Sequence, residues 1–132
     1  METEVGFMLQ MYKCDKCGSI FIVAYKGAGD PVCCGQPMRL LTANTTDAAT
    51  EKHVPVVEID GDTVTIKVGS VEHPMLDNHY IAGIMLETDR CLQVRYNRPT
   101  DKPEAVFKLA PGEKPVTAYE YCNLHGLWKA DI

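Results

Sequence analysis

The sequence predicts an all-β protein in two parts, a small metal-stapled unit over residues 1–40 followed by a β-sandwich over 41–132. Three observations carry that expectation. Cysteines come in close pairs early in the chain, Cys14 with Cys17 and Cys33 with Cys34, each pair followed by a glycine; such knuckles staple pieces too short to fold on a core of their own. After His53, short β-branched runs alternate with turn residues, and no helical period appears. Between the two parts, Thr42 to Thr50 is polar and small, buries little and marks the boundary.

In the first part, Tyr12-Lys13-Cys14-Asp15-Lys16-Cys17-Gly18 leads into the apolar run Ile20 to Tyr25, and a glycine-rich turn, Gly27 to Pro31, leads to Cys33-Cys34-Gly35-Gln36-Pro37. With two residues between Cys14 and Cys17, both thiolates can point into one site while backbone N–H groups stabilise the sulfur charge. Cys33 and Cys34 are adjacent. Neighbouring side chains diverge on an extended strand, so both reach one ion only if the backbone turns there, which Pro31 and Gly35 allow. Four thiolates in a tetrahedron suit zinc and iron alike, so both metals stay open on spacing alone. In a reducing compartment, disulfides are the weaker reading.

The second part reads as strands throughout. Val54 to Ile59 ends at the turn Asp60-Gly61-Asp62, after which Val64, Ile66 and Val68 alternate with polar residues. Tyr80–Leu86, Leu92–Tyr96, Glu104–Leu109, Val116–Tyr121 and Leu127–Lys129 follow, separated by turn clusters at Asn97-Arg98-Pro99, Lys102-Pro103 and Pro111-Gly112-Glu113. About seven short strands with regular turns indicate a sandwich of immunoglobulin-like type. In Glu51-Lys52-His53, extended backbone would place Glu51 and His53 on one side and Lys52 on the other, so a loop is expected there. Cys91 alternates with Gln93, Arg95 and Asn97 against Leu92, Val94 and Tyr96, which puts it on a polar face as a thiol outside the metal sites.

Composition narrows the function. The 132 residues are 45% hydrophobic with a formal charge of -5, which argues against a nucleic-acid partner and means that an anionic ligand must be drawn by a local positive site. Met1 to Gln10 has no basic region followed by an apolar run and a cleavage site, and no stretch approaches the roughly 18 apolar residues of a membrane span. The expected location is therefore the cytoplasm, without a membrane partner.

All four histidines of the chain lie in the second part: Glu51-Lys52-His53-Val54-Pro55, Glu72-His73-Pro74-Met75, Asn78-His79-Tyr80, and Tyr121-Cys122-Asn123-Leu124-His125-Gly126. Each sits at a strand edge or loop, where the ends of different strands can converge at one rim. A single histidine is more often hydrogen-bonded or on the surface than ligating, but four with a cysteine in knuckle spacing to the last form a set. Zinc prefers four ligands, so five nitrogen and sulfur donors favour iron, with one position left open.

These motifs, with Cys-Cys-Gly-Gln-Pro-Met and Tyr-Cys-Asn-Leu-His-Gly-Leu-Trp, resemble the two-iron superoxide reductases, the desulfoferrodoxins, from about Tyr12 to Trp128. The resemblance implies a desulforedoxin-like or rubredoxin-like Fe(Cys)4 domain, its iron held by Cys14, Cys17, Cys33 and Cys34, before an immunoglobulin-like domain with an Fe(His)4(Cys) centre. In that centre His53, His73, His79 and His125 would be equatorial and Cys122 axial. Lys52 would attract superoxide or help deliver a proton, and Glu51 would occupy the open position in the oxidised resting state. The implied activity is one-electron reduction of superoxide to hydrogen peroxide, with a rubredoxin-like donor and a homodimer. Gly83 departs from the bulky aromatic often found near that position in relatives. A ferrous ion with one thiolate and four neutral imidazoles keeps a net positive charge, which with Lys52 would draw in a small anion.

Two other classes compete. A non-catalytic iron or blue-copper-like carrier suits a β-sandwich with a cysteine shortly before a histidine, but no methionine follows His125 closely and two histidines go unused. A zinc-stabilised interaction module would be colourless.

Overall fold

The structure, a computed structural model, describes residues 9–46 and 48–132. The N-terminal reading of Met1 to Gln10 falls almost wholly outside these residues, as does Asp47 of the boundary stretch. The described residues divide into two compact units between Thr42 and Ala43.

The first unit is built from five very short strands, β1 (Met11–Lys13), β2 (Ile20–Ile22), β3 (Val32–Cys33), β4 (Gln36–Pro37) and β5 (Arg39–Leu40). One sheet runs β2-β1-β5, and β3 pairs with β4 as a hairpin. Its buried core is Tyr12, Cys14 and Met38, with Val23 and Cys33 against them. The apolar run Ile20 to Tyr25 becomes a strand only to Ile22, and Tyr25 is 92% exposed. So thin a unit has nothing with which to cover the rest, and a metal staple is the expected compensation.

The second unit opens with a single helical turn, α1 (Thr50–His53), followed by β6 (Pro55–Asp60), β7 (Thr63–Val68), β8 (Ile81–Thr88), β9 (Leu92–Tyr96), β10 (Glu104–Lys108), β11 (Pro115–Cys122) and β12 (Gly126–Asp131). The seven strands match the expected ones, with ends shifted by no more than two residues. They form two antiparallel sheets, β10-β7-β6 and β12-β11-β8-β9. Lettered in chain order, these are A-B-E against G-F-C with one added edge strand, the immunoglobulin arrangement. Val64, Ile66 and Val68 from β7, Phe107 from β10, and Ile84, Leu86 and Ala118 from the other sheet fill the space between them. A register shift between Tyr121 and Cys122 inserts Ala82 as an extra residue in β8. Beyond that bulge the parity changes, so Ile81 joins Ile84 and Leu86 in the core.

Two expectations are corrected. Glu51 to His53 is a helical turn and not a loop: Val54 N–H donates to Thr50 O at 2.9 Å. In a helix successive side chains rotate by about 100°, so Glu51, Lys52 and His53 diverge without needing irregular backbone. In β9 the alternation does not sort by polarity: Val94 (38%) and Tyr96 (84%) are exposed along with Arg95, while Leu92 and Gln93 are half-buried. Asn97 is buried, and Gln93 donates to Lys108 O on the other sheet at 2.9 Å. A polar side chain on an edge strand can turn inward when the opposite sheet offers it a backbone acceptor. Cys91 itself is exposed and lies against Glu113 at 3.0 Å. At Gly83 an added Cβ would meet only ordinary contacts, Met85 Sδ at 3.6 Å and Arg95 O at 3.7 Å.

Candidate metal centres

The two cysteine pairs meet through two different turns. Cys14 closes β1, and the chain turns back on itself with Gly18 N–H donating to Cys14 O and Cys14 N–H to Ser19 O, both at 2.9 Å. Within this knuckle Cys17 N–H points at Cys14 Sγ at 3.5 Å. The second pair depends on a left-handed turn. Cys33 pairs with Gln36 across the hairpin, leaving Cys34 and Gly35 as a two-residue loop with φ of 53° and 75°. Positive φ at both positions is the type I′ geometry of tight hairpins, and it swings Cys34 round to the side of Cys33. The four Sγ atoms then lie within 4.8 Å of one another, with Cys17 to Cys33 at 3.6 Å and Cys33 to Cys34 at 3.9 Å. A tetrahedron whose centre is about 2.3 Å from each sulfur has edges of about 3.8 Å, so the group fits a tetrathiolate ion.

Charge is distributed unevenly among these thiols. The Ser19 hydroxyl, 3.1 Å away, and then the Ser19 backbone draw the Cys17 pKa down to about 6. Cys33 is pushed up to about 12 by its contacts with Cys17 and Cys14, and Cys34 is raised for the same reason. Cys17 gives up its proton readily while Cys33 and Cys34 hold theirs, a balance that a bound cation reverses.

The second cluster is assembled by three segments at one end of the sandwich. His53 ends α1, and His73 and His79 lie in the connection between β7 and β8. There Leu76 and His79 exchange backbone hydrogen bonds at 2.8 and 3.2 Å around a tight turn. Cys122 ends β11, and His125 sits in the three-residue loop before Gly126, whose φ is 80°. Asn123, between them, ties the loops together. Its Oδ1 accepts Tyr80 N–H at 2.8 Å, and its Nδ2 donates to Asn78 O at 3.1 Å.

Four imidazoles form a closed circuit. His53–His73, His73–His79, His79–His125 and His125–His53 have ring centroids 4.7, 4.7, 5.0 and 4.9 Å apart, at interplanar angles of 80° to 86°. His53 and His73 hold backbone carbonyls through Nδ1, at Ala49 O (2.8 Å) and Pro74 O (2.7 Å). Those bonds assign the Nδ1 proton and leave each Nε2 as a lone pair, yet the two Nε2 atoms face each other at 3.2 Å. His125 brings Nδ1 to His53 Nε2 at 3.1 Å, and the buried Nε2 of His79 has no hydrogen-bond partner. Converging lone pairs repel unless a cation sits among them. A square with edges near 3.1 Å has its centre about 2.2 Å from each corner, close to a metal–imidazole bond.

Cys122, off this circuit, places Sγ 3.5 Å from His73 Nε2. Cys122, His53 and His73 are buried, whereas His79 and His125 are half-buried, so the sulfur lies on the protein side and the opposite side faces out. Burial lowers the pKa of His73 to about 4 and depresses His53 and His79, with the charge of Lys52 a smaller contributor to both of the latter. His53, His73 and His79 are thus neutral donors at neutral pH. Burial raises the Cys122 thiol, while backbone N–H groups of His125 and Leu124 oppose that rise. Glu120, fully buried with neither carboxyl oxygen hydrogen-bonded, is pushed far up by desolvation.

Sequence reasoning quoted Asn123 and Trp128 within a motif without giving them work. Trp128 stacks on the His53 ring at 4.9 Å and donates Nε1–H to the backbone oxygen of His125 at 3.0 Å, packing one ring of the circuit and holding the main chain that carries another. A tryptophan three residues after a histidine in a hairpin was the available signal.

Fold and donor sets define a small all-β protein with two metal-shaped centres, one of sulfur only and one of four imidazoles and a thiolate. The family described as Desulfoferrodoxin matches residues 45–131, and its N-terminal domain matches residues 7–41. A desulfoferrodoxin of Syntrophotalea carbinolica is 51% identical over 93% of this chain and 96% of its own length. A superoxide reductase of Pyrococcus horikoshii is 32% identical over 69% of this chain and 94% of its own. The crystal structure of the superoxide reductase from Treponema pallidum superposes with a TM-score of 0.80 at 35% identity, covering 95% of this chain and 100% of that one. The chain belongs to the desulfoferrodoxin family.

Proposed function

We propose that the chain is a superoxide reductase, an oxidoreductase that uses superoxide as acceptor and converts it, with one electron and two protons, to hydrogen peroxide without making dioxygen. The observation that carries this is the circuit of four imidazoles with Cys122 on its buried side, which leaves the outward side for a small ligand. In this reading His53, His73, His79, His125 and Cys122 hold the catalytic iron. Cys14, Cys17, Cys33 and Cys34 hold a second iron, in a site that zinc also suits. Bound by the imidazoles and Cys122, iron would supply the one electron that superoxide takes up.

The chain's own residues do the rest. Burial keeps His53, His73 and His79 uncharged, so an incoming anion meets no negative donor except the sulfur on the far side. Lys52 is exposed on the turn that carries His53, and its charge is felt at His53 and His79. Against a net charge of -5 it supplies the local attraction for superoxide, and its ammonium or solvent supplies protons. Glu51, exposed on the same turn, is assigned to cover the open side in the oxidised resting state.

The reading extends to a 1–40 Fe(Cys)4 domain and a 41–132 catalytic domain, a small rubredoxin-like electron donor, a homodimer and a cytoplasmic setting, with no nucleic-acid or membrane partner. Among the described residues no helix is long and apolar enough to cross a membrane. A blue-copper-like or non-catalytic iron carrier is not favoured, because it needs fewer donors than the five that converge.

Metal analysis with optical spectra, oxidised and reduced, followed by addition of superoxide tests the proposal. Near two irons per chain are expected, with a tetrathiolate signature and a second band toward the red that bleaches on reduction and returns with superoxide. A single zinc and a featureless spectrum would sink it.

A further inference from the structure

We propose that Ser19 tunes the first metal centre: its hydroxyl, donated to Cys17 Sγ, raises the reduction potential of the Fe(Cys)4 site. The inference rests on the iron reading of that site and goes beyond its ligand set.

Ser19 Oγ lies 3.1 Å from Cys17 Sγ. A metal-bound thiolate has no proton to give, so the hydroxyl is the donor. Its aim is fixed by the backbone, because Ser19 O accepts the N–H of Cys14, itself one of the four thiols, at 2.9 Å, and β2 begins at the next residue. Ser19 is half-buried and Cys17 exposed, so the bond is made within reach of water. The N–H of Cys17 toward Cys14 Sγ at 3.5 Å comes with the knuckle backbone whatever the sequence. The Ser19 hydroxyl is a side-chain choice and can be removed by substitution.

Reduction of a tetrathiolate iron adds one electron and concentrates negative charge on its sulfurs. A donor to one of them therefore stabilises the reduced state more than the oxidised one and shifts the couple upward. With Ser19 in place the first centre is the easier to reduce and the weaker onward donor. It holds an electron delivered by a carrier more readily than a bare tetrathiolate would.

The test is the midpoint potential of the first centre in the iron-loaded full chain, followed by bleaching of its tetrathiolate absorption as the solution is poised at successive potentials. Ser19→Ala removes the hydroxyl. Ser19→Thr and Ser19→Val form a second pair of nearly equal shape that differ by the hydroxyl alone, so packing is controlled. Ser19→Ala and Ser19→Val should each disfavour reduction about ten-fold, equivalent to about 59 mV for a one-electron couple. Ser19→Thr should stay near the unaltered chain, and the band of the catalytic centre should not move in any variant. Equal potentials for Ser19→Thr and Ser19→Val would overturn the inference. Absence of tetrathiolate iron absorption from the unaltered chain would instead remove the iron reading, and this inference with it.

Discussion

His53 shows how one side chain commits a site. Its Nδ1 is spent on Ala49 O, its face on Trp128, and its Nε2 points at the same position as His73 Nε2 and His125 Nδ1. A histidine held on three sides cannot turn away to relieve the repulsion, and so the donors are preorganised for a cation. Replacing His73 or His125 by alanine should abolish the catalytic iron band and spare the tetrathiolate one; retention of both bands would refute the ligand assignment. In the proposed function Lys52 would act at a distance and not by contact. Lys52→Ala should slow the reaction with superoxide about ten-fold at low ionic strength, with the gap narrowing as salt screens the charge. A rate constant unchanged at every salt concentration would remove the steering role.

The short helix α1 is too small to stand alone, and a neighbouring turn holds it. Val71 N–H donates to Glu51 O at 2.9 Å, and the Ser70 hydroxyl approaches the same oxygen at 3.3 Å. Gly69, at φ 85°, lies so close that a Cβ there would come within 2.5 to 2.7 Å of Val71 O, Glu51 O and Lys52 C. Gly112 has nearly the same φ, 81°, with nothing within 4 Å, so the two glycines separate backbone strain from close approach. Gly112→Ala should cost about 1 kcal/mol, the left-handed penalty alone. Gly69→Ala should cost about 2–4 kcal/mol, because backbone atoms must also move. Denaturant midpoints of the metal-loaded protein check this, and equal losses would show that the contact at α1 does not matter.

The two units carry their metal-shaped groups separately. Cys14, Cys17, Cys33 and Cys34 all come from the first unit, and the four histidines and Cys122 all come from the second. Neither group borrows a donor across the boundary. Cys14→Ser should therefore bleach the first centre while the second keeps its band and much of its activity with a direct electron donor. Loss of turnover in a variant whose second unit remains folded and iron-loaded would make the first centre an obligatory relay.

Much of this was legible along the chain because ligand pairs and strand alternation are local properties. Cys-x-x-Cys, Cys-x-x-His and the period-two run Val64, Ile66, Val68 need only neighbouring residues to be recognised. The bulge at Ala82, the turn of Gln93 toward the other sheet and the helical turn at His53 were not legible, because each depends on what a distant segment offers: register against β11, an acceptor on β10, a donor at Val71. The same holds within the sites. Sequence reasoning required the chain to turn at Cys33-Cys34, but the type I′ loop that turns it is set by pairing of β3 with β4. The sequence settled which donor atoms exist and that they come in two sets. Folding settled which nitrogen of each imidazole points inward and which side of the square is left open, because tautomer and exposure are fixed by contacts with residues far away in the chain.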